Sequence, residues 1–226
     1  RVPDAVYEAL RESILSQREA PGSAITEQAV AERFGVARPT AKVALERLVA
    51  DGLLRREAHK TARVPELTRD DIVDLYANRA IVEEAALRTL AADGVVPMAA
   101  IAAQRMLTDA ATAARSAAPG AAVPSAIARA DIAFHRALVE AQRSPRLARL
   151  HALLMGEIEL CIGQVLGHRL MAIDDVVTQH QGILDAVAAG DPERAGALTR
   201  AHIESARDRL LARYDSQLAD TAPTED

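Results

Sequence analysis

Residues 25–64 read ITEQAVAERFGVARPTAKVALERLVADGLLRREAHKTARV, and this stretch constrains the fold more than any other. Thr26 is a suitable N-cap for a short helix over Glu27–Phe34, and Gly35 can end that helix in a left-handed conformation. A second helix is expected from about Pro39 to Asp51, since proline suits a first helical turn. In it Val43, Leu45 and Leu48 are expected to be buried, with Arg38, Thr40 and Lys42 outward. Gly52 closes the helix. Leu53-Leu54 then starts a strand, Ala62 to Val64 returns as its partner, and Ala58 to Thr61 forms a short basic tip. Preceded by a helix from Asp4 to about Ser16 with Val6, Leu10 and Ile14 on one face, this is the layout of a winged helix-turn-helix.

Charge supports a nucleic-acid partner for this segment. The chain has a net charge of −5, yet between Arg33 and Arg63 eight basic residues stand against Glu46, Asp51 and Glu57. Both lysines of the chain, Lys42 and Lys60, fall there. A basic face on an acidic chain suits phosphate contact on one side only, although a merely solvated basic face has the same composition. Arg33, Arg38, Thr40, Lys42, His59 and Lys60 are the candidate DNA-contacting residues, and Arg38 and Lys42 share a helical face.

The remainder is expected to be all-helical. Half of the residues are apolar and 2% are aromatic, and strand formers never alternate for long. Six helices are expected at about 69–93, 97–116, 124–142, 145–168, 170–189 and 191–215. The breaks fall at Asp93-Gly94, Pro119–Pro124, Ser144-Pro145, near Gly167, and at Gly190-Asp191-Pro192. The predicted organisation is a winged helix-turn-helix over 1–64, a linker at 65–68, a bundle of about six helices over 69–216, and a disordered tail over 217–226. A single cysteine, Cys161, excludes an internal disulfide and fits a reducing compartment, so a cytoplasmic location is expected. No apolar run is long enough to span a bilayer as a helix. A start at Arg1 rather than Met is what a trimmed N-terminus would give.

Within the bundle, Asp131-Ile-Ala-Phe-His135 sets a carboxylate and an imidazole at i and i+4, on one helical face. His180 and His202 lie on two later helices. One aspartate and three histidines from three helices form a reasonable set for a divalent metal; by spacing alone, Asp131 and His135 fit a local hydrogen-bonded pair as well.

The N-terminal segment resembles the DNA-binding domain of the GntR transcription regulators. Their run Gly-Val-Ser-Arg-Thr-Pro-Val-Arg-Glu-Ala-Leu is matched by Gly35-Val36-Ala37-Arg38-Pro39-Thr40-Ala41-Lys42-Val43-Ala44-Leu45, and Asp51-Gly52-Leu53 matches the start of their wing. Three departures stand out. Ala37 replaces a capping serine, Lys42 replaces an arginine, and Ala58-His59-Lys60 stands where glycine-rich residues are usual.

Residues 69–215 resemble the FCD effector-binding domain. Its metal pattern is filled by Asp131 and His135, by His180 in His180-Gln-Gly-Ile183-Leu184-Asp-Ala186, and by His202 in Ala-His202-Ile203. His59, His151 and His168 have no place in that pattern. Arg79, in Asn-Arg79-Ala-Ile-Val-Glu-Glu, matches a family arginine that can meet a ligand carboxylate; a salt bridge with Glu83 or Glu84 is the structural alternative. Arg143-Ser144 replaces a common Gly-Asn before Pro145.

The resemblance implies a homodimeric, ligand-responsive regulator bound to double-stranded operator DNA, a repressor released by a small organic or sugar acid beside a divalent metal. Zn²⁺ is the expected ion, with Ni²⁺ or Mn²⁺ as alternatives. Two other readings remain: a regulator that senses the ion itself, and a metal-dependent hydrolase with Glu157 as its base. No enzyme activity is expected.

Overall fold

The computed structural model describes residues 2–58, 60–116, 123–166 and 173–221. Among these are nine helices and one two-stranded sheet. They form two compact units, Arg1–Thr68 with Gly156–Gly167, and Arg69–Met155 with His168–Asp226.

The first unit opens with α1 (Val2–Leu15), which buries Val6, Tyr7, Leu10 and Ile14 along one stripe. After β1 (Ala24–Ile25), helix α2 (Glu27–Phe34) begins at Thr26, whose hydroxyl accepts from the Ala29 N–H at 3.1 Å. It ends at Gly35, where φ is +61°. Both ends follow from side-chain capping and from the freedom of glycine at positive φ.

Helix α3 (Arg38–Ala50) buries Ala41, Ala44, Leu45 and Leu48, an i, i+3, i+4, i+7 stripe. Val43 is not part of it. It is 44% exposed, because at 100° per residue it lies on the opposite side of the helix from Ala41 and Leu45. Ala37 takes the N-cap position without a side-chain bond.

The wing also differs from expectation. Strand β2 (Ala62–Arg63) pairs antiparallel with β1, Ala24 opposite Arg63 and Ile25 opposite Ala62. On its other side it keeps a single bridge, Arg55 to Arg63. Leu53 and Leu54 do not form a strand. Their N–H groups both return to the Leu48 carbonyl, at 2.9 and 3.2 Å, and their side chains are buried. The end of α3 thus takes the donors a ladder would need.

The unit is completed by Gly156–Gly167. Two glycines seven residues apart let this helical segment approach the backbone. A Cβ at Gly156 would stand 1.7 Å from the Asp51 carbonyl oxygen, and one at Gly163 2.9 Å from that of Leu15. Glu159 pairs there with Arg11.

The second unit contains α4 (Arg69–Asp93), α5 (Met98–Ser116), α6 (Val123–Glu140), the first half of α7 (Pro145–Leu166), α8 (Ile173–Ala188) and α9 (Pro192–Thr221). All six expected helices are present. Helix α9 continues to Thr221, past the point where a tail was expected. Gly167, residues 119–122 of the Pro119–Pro124 break and His168 lie outside the described residues, while Pro124 already belongs to α6.

Helix α4 packs along α9, α5 along α6, and α8 along α9. The core joins Leu87 and Leu90 of α4 to Phe134 and Leu138 of α6 and to Ile183 and Val187 of α8, with alanines filling the narrow gaps. Among the described residues no single helix is long and apolar enough to cross a membrane.

The α6–α7 turn places Arg143 at φ +53°. An L-residue pays roughly 1–2 kcal/mol there, and glycine loses about 0.5–1 kcal/mol through its freer unfolded chain. Arg143→Gly should therefore stabilise the protein by about 0.5–1 kcal/mol in chemical denaturation. Unchanged or lower stability would show that Arg143 makes a compensating contact.

Candidate metal centre and nucleic-acid face

On the N-terminal unit, Arg38 and Lys42 are exposed on α3 and Thr40 is half-buried beside them. Lys42 reaches Glu46 at 3.7 Å, a loose, exposed i,i+4 pair. Arg38 makes no hydrogen bond or ion pair with any described residue, so its guanidinium is uncommitted. Arg33 is already engaged. It pairs with Glu19 at 2.6 Å and lies over the Phe34 ring. Lys60 pairs with Glu57 at the exposed wing, and His59 lies outside the described residues. Among these candidates the α3 side chains are thus less engaged within the protein than Arg33 is.

In the second unit three helices converge on one point. Helix α6 supplies Asp131 and His135, α8 supplies His180 and α9 supplies His202. Each offers one donor atom, and all four atoms lie within 4.8 Å of one another. His135 Nε2 stands 3.2 Å from His202 Nε2, and His180 Nε2 stands 3.3 Å from His202 Nε2. Asp131 Oδ1 is 3.3 Å from His180 Nε2 and 3.9 Å from His135 Nε2. Donors about 2.1 Å from a shared divalent ion stand roughly 3.0–3.4 Å apart, and three of the four separations above fall in that range, with the Asp131–His135 pair wider.

The surrounding bonds decide which nitrogens hold protons. His202 Nδ1 lies 2.8 Å from Gln179 Oε1, to which it donates. His135 Nδ1 lies 2.6 Å from Glu83 Oε2, close in distance though not aligned as a full hydrogen bond. A neutral imidazole protonated at Nδ1 carries a lone pair at Nε2. With both rings protonated at Nδ1, two such lone pairs face each other across the 3.2 Å between His135 and His202 Nε2. That contact is repulsive unless a cation lies between them, which is the chemistry of a metal site. His180 is held by Phe134, whose ring stacks on it at 3.9 Å and 7°.

The electrostatics agree. Burial lowers the His180 imidazole to about 4 against the opposing pull of Asp131. Burial, then the His180 and His135 charges, lower His202 well below its ordinary value. Burial raises the Asp131 carboxyl, but the His180 hydrogen bond and the charges of His135, His180 and Arg79 outweigh it and hold Asp131 ionised. Lowered imidazole pKa values at His180 and His202 and an ionised Asp131 favour the forms that bind metal.

Arg79 of α4 is 1% exposed. Its Nε donates to Glu83 Oε1 at 2.8 Å, so the salt bridge expected as the alternative is present. Glu84 instead bonds Arg88 and Arg200. Arg79 Nη2 nevertheless stays buried without a partner. A buried guanidinium donor left unsatisfied costs free energy that an incoming acceptor recovers. Glu157 pairs with Arg55 at 3.6 Å in the first unit and is not part of the cluster, which removes the base named for hydrolysis.

Three residues around the cluster escaped the sequence analysis: Glu83 as a support for His135, Gln179 as a partner of His202, and His151, whose Nε2 is 3.0 Å from Glu83 Oε1. Gln179 adjoins His180 and Glu83 lies one turn from Arg79, but His151 carried no signal, since its partner is distant in sequence.

A model of the "Bacterial regulatory proteins, gntR family" matches residues 3–64, and one of the FCD domain matches residues 74–205. Over 202 residues the chain is 28% identical to the uncharacterized HTH-type transcriptional regulator BphR of Paraburkholderia xenovorans, covering 89% of this chain and 82% of that protein. Over 217 residues it is 26% identical to the HTH-type transcriptional repressor NanR of Enterobacter sp. strain 638, covering 91% and 84%. A solved structure from Rhodococcus sp. RHA1, described as a GntR transcriptional regulator, superposes with a TM-score of 0.74 at 26% identity over 93% of this chain and 97% of that one. A DNA-binding unit joined to a helical unit with a buried polar cluster defines a transcription regulator and not an enzyme. The chain belongs to the GntR family of bacterial regulators, with an FCD domain following its winged helix-turn-helix.

Proposed function

We propose that this regulator is a cytoplasmic, homodimeric repressor that leaves its operator when a small organic or sugar acid binds beside a divalent metal. Asp131, His135, His180 and His202 would hold the ion, with Zn²⁺ the best match to three imidazoles and a carboxylate, and Ni²⁺ or Mn²⁺ as alternatives. The ion would supply positive charge and open positions for a carboxylate or hydroxyl oxygen. Arg79 would orient that ligand through Nη2. One observation carries the reading: a buried arginine whose Nη2 has no hydrogen-bond partner shares the Glu83 carboxylate, at 2.8 Å, with the cluster residue His135, whose Nδ1 lies 2.6 Å from it. A regulator sensing the ion alone would leave that donor without a role.

Two half-sites about one helical turn, roughly 34–36 Å, apart would be read by the two copies of α3. Effector binding would act through a difference in affinity for DNA-competent and incompetent states.

The test is a thermal-shift screen of organic acids with and without Zn²⁺, followed by operator binding in the presence of any acid that stabilises the protein. An acid that raises Tm only with metal present and releases operator is the expected result. Stabilisation that never depends on metal, or never weakens operator binding, would overturn the reading.

The DNA face has its own test. Arg38→Ala should weaken operator binding by about 1–3 kcal/mol and reduce discrimination against random DNA, as loss of a guanine contact would. Lys60→Ala should weaken both kinds of binding alike and lower the salt slope by roughly one. Parent-like operator affinity of Arg38→Ala across a salt titration would remove Arg38 from the interface.

A further inference from the structure

Glu83 is fully buried, yet it serves three other buried side chains. Its Oε1 accepts from Arg79 Nε at 2.8 Å and lies 3.0 Å from His151 Nε2. Its Oε2 lies 2.6 Å from His135 Nδ1. Helices α4, α6 and α7 therefore meet at one carboxylate.

Two consequences follow from its position. A carboxylate this close to Nδ1 keeps the proton there, which directs the His135 Nε2 lone pair at the other three donors. The second consequence concerns charge. Two carboxylates bear on Arg79: Glu83, whose Oε1 accepts from its Nε at 2.8 Å, and Asp131. Glu83 cancels Arg79. In the loaded site the imidazoles are neutral, Asp131 carries one negative charge and the ion two positive ones. One positive charge is left over in a buried, low-dielectric place. A monoanion neutralises it, whereas a dianion reverses it. Arg79 thus offers a hydrogen-bond donor without adding net charge.

We propose that Glu83 is the positioning and charge-setting residue of this site: it holds His135 as an Nε2 ligand and, by neutralising Arg79, makes the metal-loaded site select a small monocarboxylate over a dicarboxylate. The inference rests on the metal reading above.

The experiment compares the full-length parent, Glu83→Gln, and the double variant Arg79→Gln/Glu83→Gln. Each is titrated with Zn²⁺, and then, when loaded, with propionate or malonate, which share a three-carbon skeleton and differ by one charge. Metal content is measured after each titration, so that chelation by malonate is seen. The parent should prefer propionate. Glu83→Gln should bind Zn²⁺ roughly 10–100-fold more weakly, as loss of a supporting carboxylate does. It should also shift preference toward malonate on the order of tenfold, because the site gains a positive charge. A packing defect alone would not reverse a charge preference.

The double variant removes both charges of the pair and leaves no buried ion alone, so it remains foldable if the single variant does not. With the Nη2 donor gone it should bind both probes, and Zn²⁺, more weakly than the parent, while the ratio between the two probes still favours propionate. Unchanged Zn²⁺ affinity in both variants overturns the positioning role. A parent that binds malonate as tightly as propionate, or neither probe, overturns the charge argument, and so does a double variant that prefers malonate. A parent that takes up no Zn²⁺ overturns the metal reading itself, which is a separate result.

Discussion

His180→Ala and His202→Ala should each lose most of the bound divalent ion, with affinity falling at least about 100-fold, beyond the loss seen when only a supporting residue is removed. Each histidine is the single contribution of its helix to the cluster, so no neighbouring side chain on that helix can replace it. The two variants should differ without metal. His180→Ala removes the ring stacked on Phe134 and opens a hole in the core. His202→Ala removes one of two facing lone pairs, which relieves a repulsion and offsets part of the packing loss. His202→Ala should therefore be the more stable of the two apo proteins while binding metal no better. Elemental analysis of the parent and both variants, with unfolding curves in chelator, checks this. A parent without metal that takes none up on titration would refute the site.

Arg79→Lys should abolish the response to an organic acid while preserving the fold and most of the metal. Lysine keeps a positive charge beside Glu83 but loses the planar fork, and with it the Nη2 donor. Losing a charge-assisted contact in a buried pocket costs on the order of 2–5 kcal/mol, enough to take a micromolar ligand out of its working range. Alanine is the poorer probe. It would strand the Glu83 carboxylate, a buried ion without its partner, at a cost of roughly 3–5 kcal/mol, and Glu83 also supports His135. Arg79→Ala should thus disturb metal binding as well, and its phenotype alone would not separate the two roles. Operator release measured against effector concentration, parent and Arg79→Lys side by side, decides the matter. An unchanged dose-response would confine Arg79 to its salt bridge.

Much of the fold was legible because its helix boundaries are written in local chemistry. Thr26 and Gly35 bracket α2, Pro39 opens the first turn of α3, and Gly190-Asp191-Pro192 separates α8 from α9. The cluster residues were legible as a pattern of residue types that the structure brings together. What was missed depends on tertiary competition. The donors of Leu53 and Leu54 go to the Leu48 carbonyl, and no propensity for strand shows that. Val43 is apolar, but its angular position turns it outward. The Arg79–Glu83 pair itself was anticipated, but its full burial was not legible, since charged residues are rarely buried unless paired and nothing local marks which pair will be. The participation of Gly156–Gly167 in the first unit was invisible too, since a helix that serves two units has no single apolar face to read.

Arg79 and Glu83 sit one turn apart on α4, and this has a thermodynamic consequence. A stiff helix ties the two backbone positions together, so under the proposed reading the side chain that would meet the acid and the one that would steady the metal ligand respond as a single lever. Occupancy at either end then biases the other by the same factor, since linkage between two bound species is reciprocal. If the proposed sites are occupied as argued, such a lever would make the regulator an AND gate: scarcity of the ion would dull the signal from the acid even when the acid is plentiful.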